Sequence, residues 1–307
     1  MKVLITGGAG FIGANLIRKL INKHEVIVYD NLCRGNSNYI PKGVSLIEGD
    51  IRNTEKLGKV ALGVEVVVHL AAFGSVVESV SDPVTNFEIN AAGTLSALEA
   101  SRNAKVKKFI FASTGGALMG STSPPVNETS LPKPISPYGV SKLCGEAYCN
   151  AYAASYGLTS VCLRFANIYG PYSGHKKGVV TEYIKRAHSN KPLIVYGDGS
   201  SSRDYLHVSD LCDGIQAAIE NNFYQNDIFH LGSGKETTIV KLAKTINGIA
   251  NRKEYNIKFL NARAGEVERN YASYSKANRI LRFTPQIDLQ KGLENTYKWF
   301  LDNELST

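Results

Sequence analysis

Lys2-Val3-Leu4-Ile5-Thr6-Gly7-Gly8-Ala9-Gly10-Phe11-Ile12-Gly13 is the stretch on which the fold turns. An apolar, β-branched run ends abruptly in glycines at 7, 10 and 13, and a helical pattern starts at Phe11 and runs to Lys23. Glycine is required where a turn needs positive φ and where backbone must come within contact distance of another group. A helix starting there presents unpaired N–H groups and the positive end of its dipole, which suits an anion.

The same rhythm continues outward. Apolar runs at Glu25–Tyr29, Ser45–Gly49, Val64–Leu70, Lys108–Ser113 and Ser160–Phe165 alternate with helical patterns, notably Asn86–Asn103 and Tyr138–Tyr156. Strands separated by helices imply right-handed βαβ units and a parallel sheet. The strands are uniformly apolar rather than alternating, as a sheet covered on both faces requires. The fold class is therefore α/β, a Rossmann-like doubly wound parallel sheet. Between Ser121 and Pro137 the Ser, Thr and Pro content marks a loop. Beyond Phe165 the rhythm weakens into Gly-punctuated pieces such as Tyr169-Gly170-Pro171 and Tyr196-Gly197-Asp198-Gly199. The expected division is a nucleotide-binding domain over 1–166 with about 205–235, and a smaller substrate-side domain over 167–204 with 236–307.

Composition narrows the function classes. A chain of 307 residues with 43% hydrophobic content buries a large core. Its apolar runs are far short of a membrane span, and the N-terminus enters a Gly-rich turn too early for a signal peptide, so cytoplasmic residence is expected. Five cysteines without a C-x-x-C pair argue against disulfides and zinc, and no metal is expected. The net charge of +8 is scattered, and clusters such as Lys105-Val106-Lys107-Lys108 and His175-Lys176-Lys177 read as solvated surface rather than a nucleic-acid stripe.

The glycine turn followed by Asp30 at the end of the second strand points to a dinucleotide. Asp30 can accept both ribose hydroxyls and repel a 2′-phosphate, so NAD is preferred over NADP. Arg34 could answer a 2′-phosphate or stack on a neighbour. Asp50-Ile51 could bracket the adenine, and small residues in His69-Leu70-Ala71-Ala72 would let backbone approach the cofactor, with His69 itself a packed strand-end residue. Tyr138-Gly139-Val140-Ser141-Lys142 sets a phenol and an ammonium four residues apart on one helix face. A phenol near pKa ~10 becomes a usable base only if its phenolate is stabilised by about 4 kcal/mol, which Lys142 and a nicotinamide cation can supply.

Taken together, the glycine motif, Asp30, Asp50, His69-Leu70-Ala71-Ala72, Asn90, Ser113-Thr114 and Tyr138/Lys142 resemble the extended short-chain dehydrogenase/reductase family across nearly the whole chain. The resemblance implies Tyr138, Lys142 and Thr114 as catalytic residues with Ser113 beside Thr114, the Gly115-Gly116 continuation leaving that register open by one. For the cofactor it implies Gly7, Gly10, Phe11, Ile12, Gly13, Asp30, Asn31, Arg34, Asp50, Ile51, Leu70, Ala71, Ala72, Asn90 and Phe165, together with Tyr138 and Lys142. Within the family, Arg164-Phe165-Ala166-Asn167-Ile168-Tyr169-Gly170-Pro171, the segment Tyr196 to Asp210 and Arg263-Ala264-Gly265-Glu266 resemble the sugar-nucleotide 4-epimerases. That implies substrate contacts from Thr114, Asn167, Val179, Val180, Ile194, Tyr196, Arg203, Arg263, Glu266 and Asn270, the last gating the sugar 2-substituent. Asp204, Asp210 and His207 read as scaffold, and Phe165 and Tyr169 most simply as core aromatics.

The expected reaction is NAD-dependent 4-epimerisation of a UDP-hexose through a 4-keto sugar. Dehydration is disfavoured because Gly115-Gly116 stand where dehydratases carry an Asp-Glu pair, and a glucuronate is disfavoured because Tyr172-Ser173-Gly174 lacks an arginine. From another class, a non-catalytic NAD(P)-sensing module stays open, against which the Thr/Tyr/Lys set speaks. A homodimer through the helices from Tyr138 and Asn86 is expected from the resemblance.

Overall fold

The computed structural model describes residues 1–222, 226–252, 256–262 and 268–305. Each βα unit of the first half forms where the sequence placed an apolar run before an amphipathic one. The strands are β1 (Lys2–Thr6), β2 (Glu25–Asp30), β3 (Ser45–Glu48), β4 (Val66–His69), β5 (Lys108–Thr114) and β6 (Thr159–Phe165), with β7 (Asn167–Tyr169), β8 (Leu193–Tyr196), β9 (Ser202–His207), β10 (Asp227–Leu231), β11 (Glu236–Thr238), β12 (Ile257–Leu260) and β13 (Arg269–Asn270) following. The helices are α1 (Phe11–Leu20), α2 (Thr54–Ala61), α3 (Val76–Ser81), α4 (Pro83–Phe87), α5 (Gly93–Asn103), α6 (Gly116–Met119), α7 (Pro137–Tyr156), α8 (Val179–His188), α9 (Val208–Glu220), α10 (Ile239–Ile249), α11 (Ser275–Leu281) and α12 (Leu289–Asn303).

Seven strands pair in the order β10-β6-β5-β4-β1-β2-β3, all in parallel. The chain reverses its direction of travel between β1 and β4, and ligands of such sheets bind beyond the strand C-termini at that switch point. One apolar layer joins β1, β4 and β6 to α1, α9 and α11 through Leu16, Ile17, Leu211, Ile215 and Leu281. The opposite layer packs Leu57, Leu98, Phe109, Phe111 and Tyr152. Both faces are covered, as the uniformly apolar strands require. A third core, containing Tyr183, Ile184, Leu193, Leu242 and Phe300, sits under the smaller sheets β11-β9-β13 with β7, and β8 with β12.

Two helical boundaries depart from the periodicity. The first helix stops at Leu20 rather than Lys23, its last N–H bonds closing at Ile21. The helix expected from Asn86 begins earlier, at Pro83, because Asp82 accepts the Thr85 N–H as N-cap and proline is favoured in the first turn. It then passes through a π turn, Glu88–Ala92, before α5. α7 starts with Ser136 capping the Gly139 N–H and ends at Gly157 in the left-handed conformation.

Candidate active site

The glycine turn is shaped by close approach. Gly7 has φ +70°, and a Cβ there would lie 2.6 Å from the Ala71 nitrogen; one at Gly13 would lie 2.5 Å from the Gly8 Cα. Substituting either would push apart β1, β4 and α1, so the glycines hold a cradle rather than a loose loop. The N-terminus of α1 has no side-chain cap, which leaves its N–H groups facing the cleft. Asp30 sits at the end of β2, accepting the Ala9 N–H at 3.0 Å and the Leu32 N–H at 2.8 Å; burial raises its pKa, and the two bonds oppose that rise. Asn31 donates to Asp50 at 3.4 Å, and Arg52 holds the Asp50 carboxyl down to about 2. Ile51 is buried, its side chain against Gly93. Leu70 and Ala71 follow β4 against Gly7, and Phe11 and Ile12 open α1 directly after the glycine turn, at the sheet's switch point.

Three of the expected residues are turned toward the protein. Asn90 accepts the Phe73 N–H at 2.8 Å and donates to the Phe73 carbonyl at 3.0 Å, fixing the chain as it leaves the cleft. Arg34 stacks 3.8 Å from the Phe73 ring centroid and pairs with Glu78 at 2.7 Å, the stacking alternative of the two open for it. Phe165 is buried in the core at the end of β6. His69 is fully buried between the hydroxyls of Thr6, at 2.8 Å, and Thr94, at 3.2 Å; burial lowers its pKa to about 3, so it is a neutral packing residue.

The end of β5 carries two hydroxyls. Ser113 donates to the Glu146 carboxylate at 2.6 Å, and Arg164, opposite Ser113 across β5 and β6, grips the same carboxylate at 2.8 and 2.7 Å. Thr114, the last residue of β5, lies near the Tyr138 phenol and lowers its pKa against the effect of burial. The Lys142 ammonium, buried, donates to the Ala112 carbonyl at 2.8 Å and lies 5.9 Å from the Tyr138 ring centroid. Burial pushes Tyr138 up to about 12, against the pull of Thr114, and lowers Lys142 to about 8. A phenol at about 12 is an acid held in reserve, and it becomes a base only when a further positive charge is brought beside it. Tyr138, Lys142 and Glu146 follow one another every four residues along one face of α7. That third member was not singled out in the sequence, although its spacing was in view.

Asn167 and Arg203 lie on β7 and β9, which pair, and Arg203 and Asn270 are register partners between β9 and β13. Arg203 donates to the Ser202 carbonyl at 2.8 Å. Asn270 is buried, with its Nδ2 unpartnered among the described residues, and faces Gly116, whose Cβ would lie 3.4 Å from its Oδ1. Val179 and Val180 open α8, and Ile194 and Tyr196 lie on β8, the Ile194 carbonyl accepting the Tyr183 hydroxyl at 2.7 Å. Arg263 and Glu266 lie outside the described residues. Asp204 accepts the N–H groups of Ser233 and Gly234, Asp210 accepts that of Ile287, and His207 accepts that of Ser209; all three tie segments together. The basic cluster at 175–177 is exposed; Lys177 reaches Glu78 at 2.9 Å, and Lys176 donates to the Ile168 carbonyl at 2.7 Å. Among the described residues no group of three or more metal-ligating side chains converges, and no helix is long and apolar enough to cross a membrane.

Residues 3–232 match the NAD dependent epimerase/dehydratase family. The chain is 32% identical to the UDP-glucose 4-epimerase of Mycolicibacterium smegmatis, over 98% of each chain. It superposes on the UDP-glucose 4-epimerase of Thermotoga maritima with UDP-glucose at a TM-score of 0.94, with 36% identity over 98% of this chain and 99% of that one. A similar match, TM-score 0.91 and 34% identity over 99% and 100%, is to the Thermus thermophilus UDP-glucose 4-epimerase complex with NAD.

Proposed function

Because the chain belongs to the NAD-dependent epimerase/dehydratase family, we infer that it is an NAD-dependent sugar-nucleotide isomerase that inverts C4 of a UDP-hexose. The observation that carries this reading is the pairing of Tyr138 and Lys142 on one face of α7, with the Lys142 ammonium donating to the Ala112 carbonyl near the C-terminal end of β5 and lying 5.9 Å from the Tyr138 ring centroid. NAD bound in the glycine cradle serves as acceptor and then donor of the C4 hydrogen. Tyr138 removes the 4-hydroxyl proton and later returns it, and Thr114 holds the 4-oxygen through both halves. Lys142 stabilises the phenolate and holds the nicotinamide ribose. Asn167 and Arg203, with Arg263, anchor the diphosphate while the 4-keto sugar turns over between its two faces; two arginines give charge-assisted, bidentate anchoring.

Gly115 and Gly116 offer no acid to expel water, and Asn270 occupies the space facing Gly116, which favours epimerisation over dehydration. Its unpartnered Nδ2 is a donor for the sugar 2-substituent, and a 2-hydroxyl or an N-acetyl oxygen can fill it. UDP-glucose and UDP-galactose are the proposed pair, with their N-acetyl forms as the second. Purified protein incubated with each nucleotide sugar, without added reductant, should equilibrate one 4-epimer pair; no conversion in the presence of bound NAD would refute the reading.

The protein is proposed to act as a homodimer in the cytoplasm. Val77, Val80, Val84 and Phe87 are each at least 61% exposed on α3 and α4, next to α7 with its exposed Val140, an apolar patch larger than isolated surface residues need. All five cysteines are free, as a reducing compartment permits. Sedimentation at micromolar concentration should give twice the chain mass, falling toward one chain for Phe87→Glu with Val84→Glu.

A further inference from the structure

Two side chains of α7, one turn apart, grip the end of β5. The Lys142 ammonium donates to the Ala112 carbonyl at 2.8 Å, and the Glu146 carboxylate accepts the hydroxyl of the next strand residue, Ser113, at 2.6 Å. Between them Gly145 lets the helix close onto the strand, since a Cβ there would collide with the Phe111 ring, which the Lys142 ammonium overlies at 4.8 Å from its centroid. Glu146 is itself held from the far side. Arg164, the register partner of Ser113, donates to both carboxylate oxygens at 2.8 and 2.7 Å, and all three residues are at most 4% exposed. An ion pair buried this deeply does little for stability that apolar residues of the same volume would not do. What it supplies is direction, because a bidentate fork fixes a carboxylate in angle as well as distance. The residue so fixed, Ser113, stands between the carbonyl that holds Lys142 and Thr114, which lies near the Tyr138 phenol.

We infer that Glu146 is a positioning residue for proton transfer at Tyr138: locked by Arg164, it anchors the end of β5 through Ser113 and so sets Lys142 and Thr114 relative to the phenol. It acts from behind the pair rather than at the sugar, and it ties the Ser113 hydroxyl backward with it. This rests on the reading of Tyr138 and Lys142 as the proton-transfer pair of an NAD-dependent epimerase.

The test separates position from stability. Full-length wild type, Ser113→Ala, Glu146→Gln and the double variant Glu146→Met with Arg164→Met are compared by thermal melting, by NAD and UDP titration, and by kcat and KM with the nucleotide sugar that the wild type equilibrates. The Tyr138 phenolate is titrated by ultraviolet absorption in the NAD complex, read as the difference from Tyr138→Phe. Ser113→Ala and the double variant remove no net charge, so they reach the phenolate only by letting the end of β5 shift. Both should melt near wild type and bind NAD and UDP within about twofold of it, yet lose about tenfold in kcat and titrate Tyr138 at higher pH, because small displacements of reacting groups are costly. Glu146→Gln leaves Arg164 without its charge partner and should lose the same kcat while melting lower. Should either Glu146 variant fail to fold, Ser113→Ala decides. Wild-type kcat or an unmoved Tyr138 titration in the charge-neutral variants would overturn the inference, as would NAD and UDP binding lost in step with melting temperature, the mark of a merely structural pair. A wild type that binds NAD yet inverts no sugar removes the epimerase reading, while the Tyr138 titration still decides the role of Glu146. A wild type that binds no NAD overturns both.

Discussion

In the proposed reading, the cradle at the C-terminal edge of the large sheet and the wall built by the small sheets share one task, holding a diphosphate-bearing ligand, and approach it by different means. The cradle is backbone: Gly7 and Gly13 leave room measured in tenths of an ångström, and the α1 N-terminus presents its N–H groups. The wall is side chains on short strands: Asn167 on β7, Arg203 on β9 and Asn270 on β13, segments far apart in sequence and aligned only by pairing to β9. It also holds buried polar atoms without partners among the described residues, the hydroxyls of Tyr169 and Tyr205, His207 Nε2 and Asn270 Nδ2. The proposed cofactor site is thus built into backbone at the end of the sheet, whereas the proposed substrate site rests on a few side chains.

Substitutions can set the two regions apart. The largest effect belongs to neither alone but to the hydroxyl between them. Tyr138→Phe should lower kcat about 10³-fold with NAD affinity little changed, because general acid–base groups contribute about 10²–10⁴. Next comes the cradle. Gly7→Val meets Ala71 backbone at 2.6 Å in a positive-φ conformation; the strain of about 1–3 kcal/mol falls where the cofactor must sit, and NAD titration should show a loss of about a hundredfold. For the wall, Arg203→Met should raise the UDP-sugar KM about thirtyfold with kcat less affected, as losing one charge-assisted anchor costs about 2 kcal/mol.

Acid should act on both regions through buried histidines. His69 and His230 are held to about 3 and His207 to about 4 by burial. As pH falls below ~6.5 the unfolded chain gains protons that the folded one refuses. Stability should therefore be flat above that point and fall by up to about 1.4 kcal/mol per pH unit for each histidine down to its folded value, which denaturant titrations at pH 7, 6 and 5 would measure. A flat profile would mean that these rings open to solvent.

The same contrast explains what was legible in the sequence. The parallel sheet and the glycine turn follow from periodicity and from a residue type with one physical use, so β1 to β6 were readable to within one or two residues. The Tyr138/Lys142 pair was readable because four residues bring two side chains to one helix face. Ser113 and Thr114 were not separable, since neighbours on a strand end differ only in what waits opposite them: the Ser113 hydroxyl is taken up by Glu146, which Arg164 also grips, while Thr114 lies near the Tyr138 phenol.

The most direct test of C4 inversion at Tyr138 follows the hydrogen itself. A UDP-hexose carrying deuterium at C4 is incubated with the protein in ordinary water until the epimers equilibrate, and the product is read by mass and NMR. The label should stay at C4 in both epimers, having left and returned inside the site; its loss to solvent, or inversion at another carbon, would contradict C4 inversion at Tyr138.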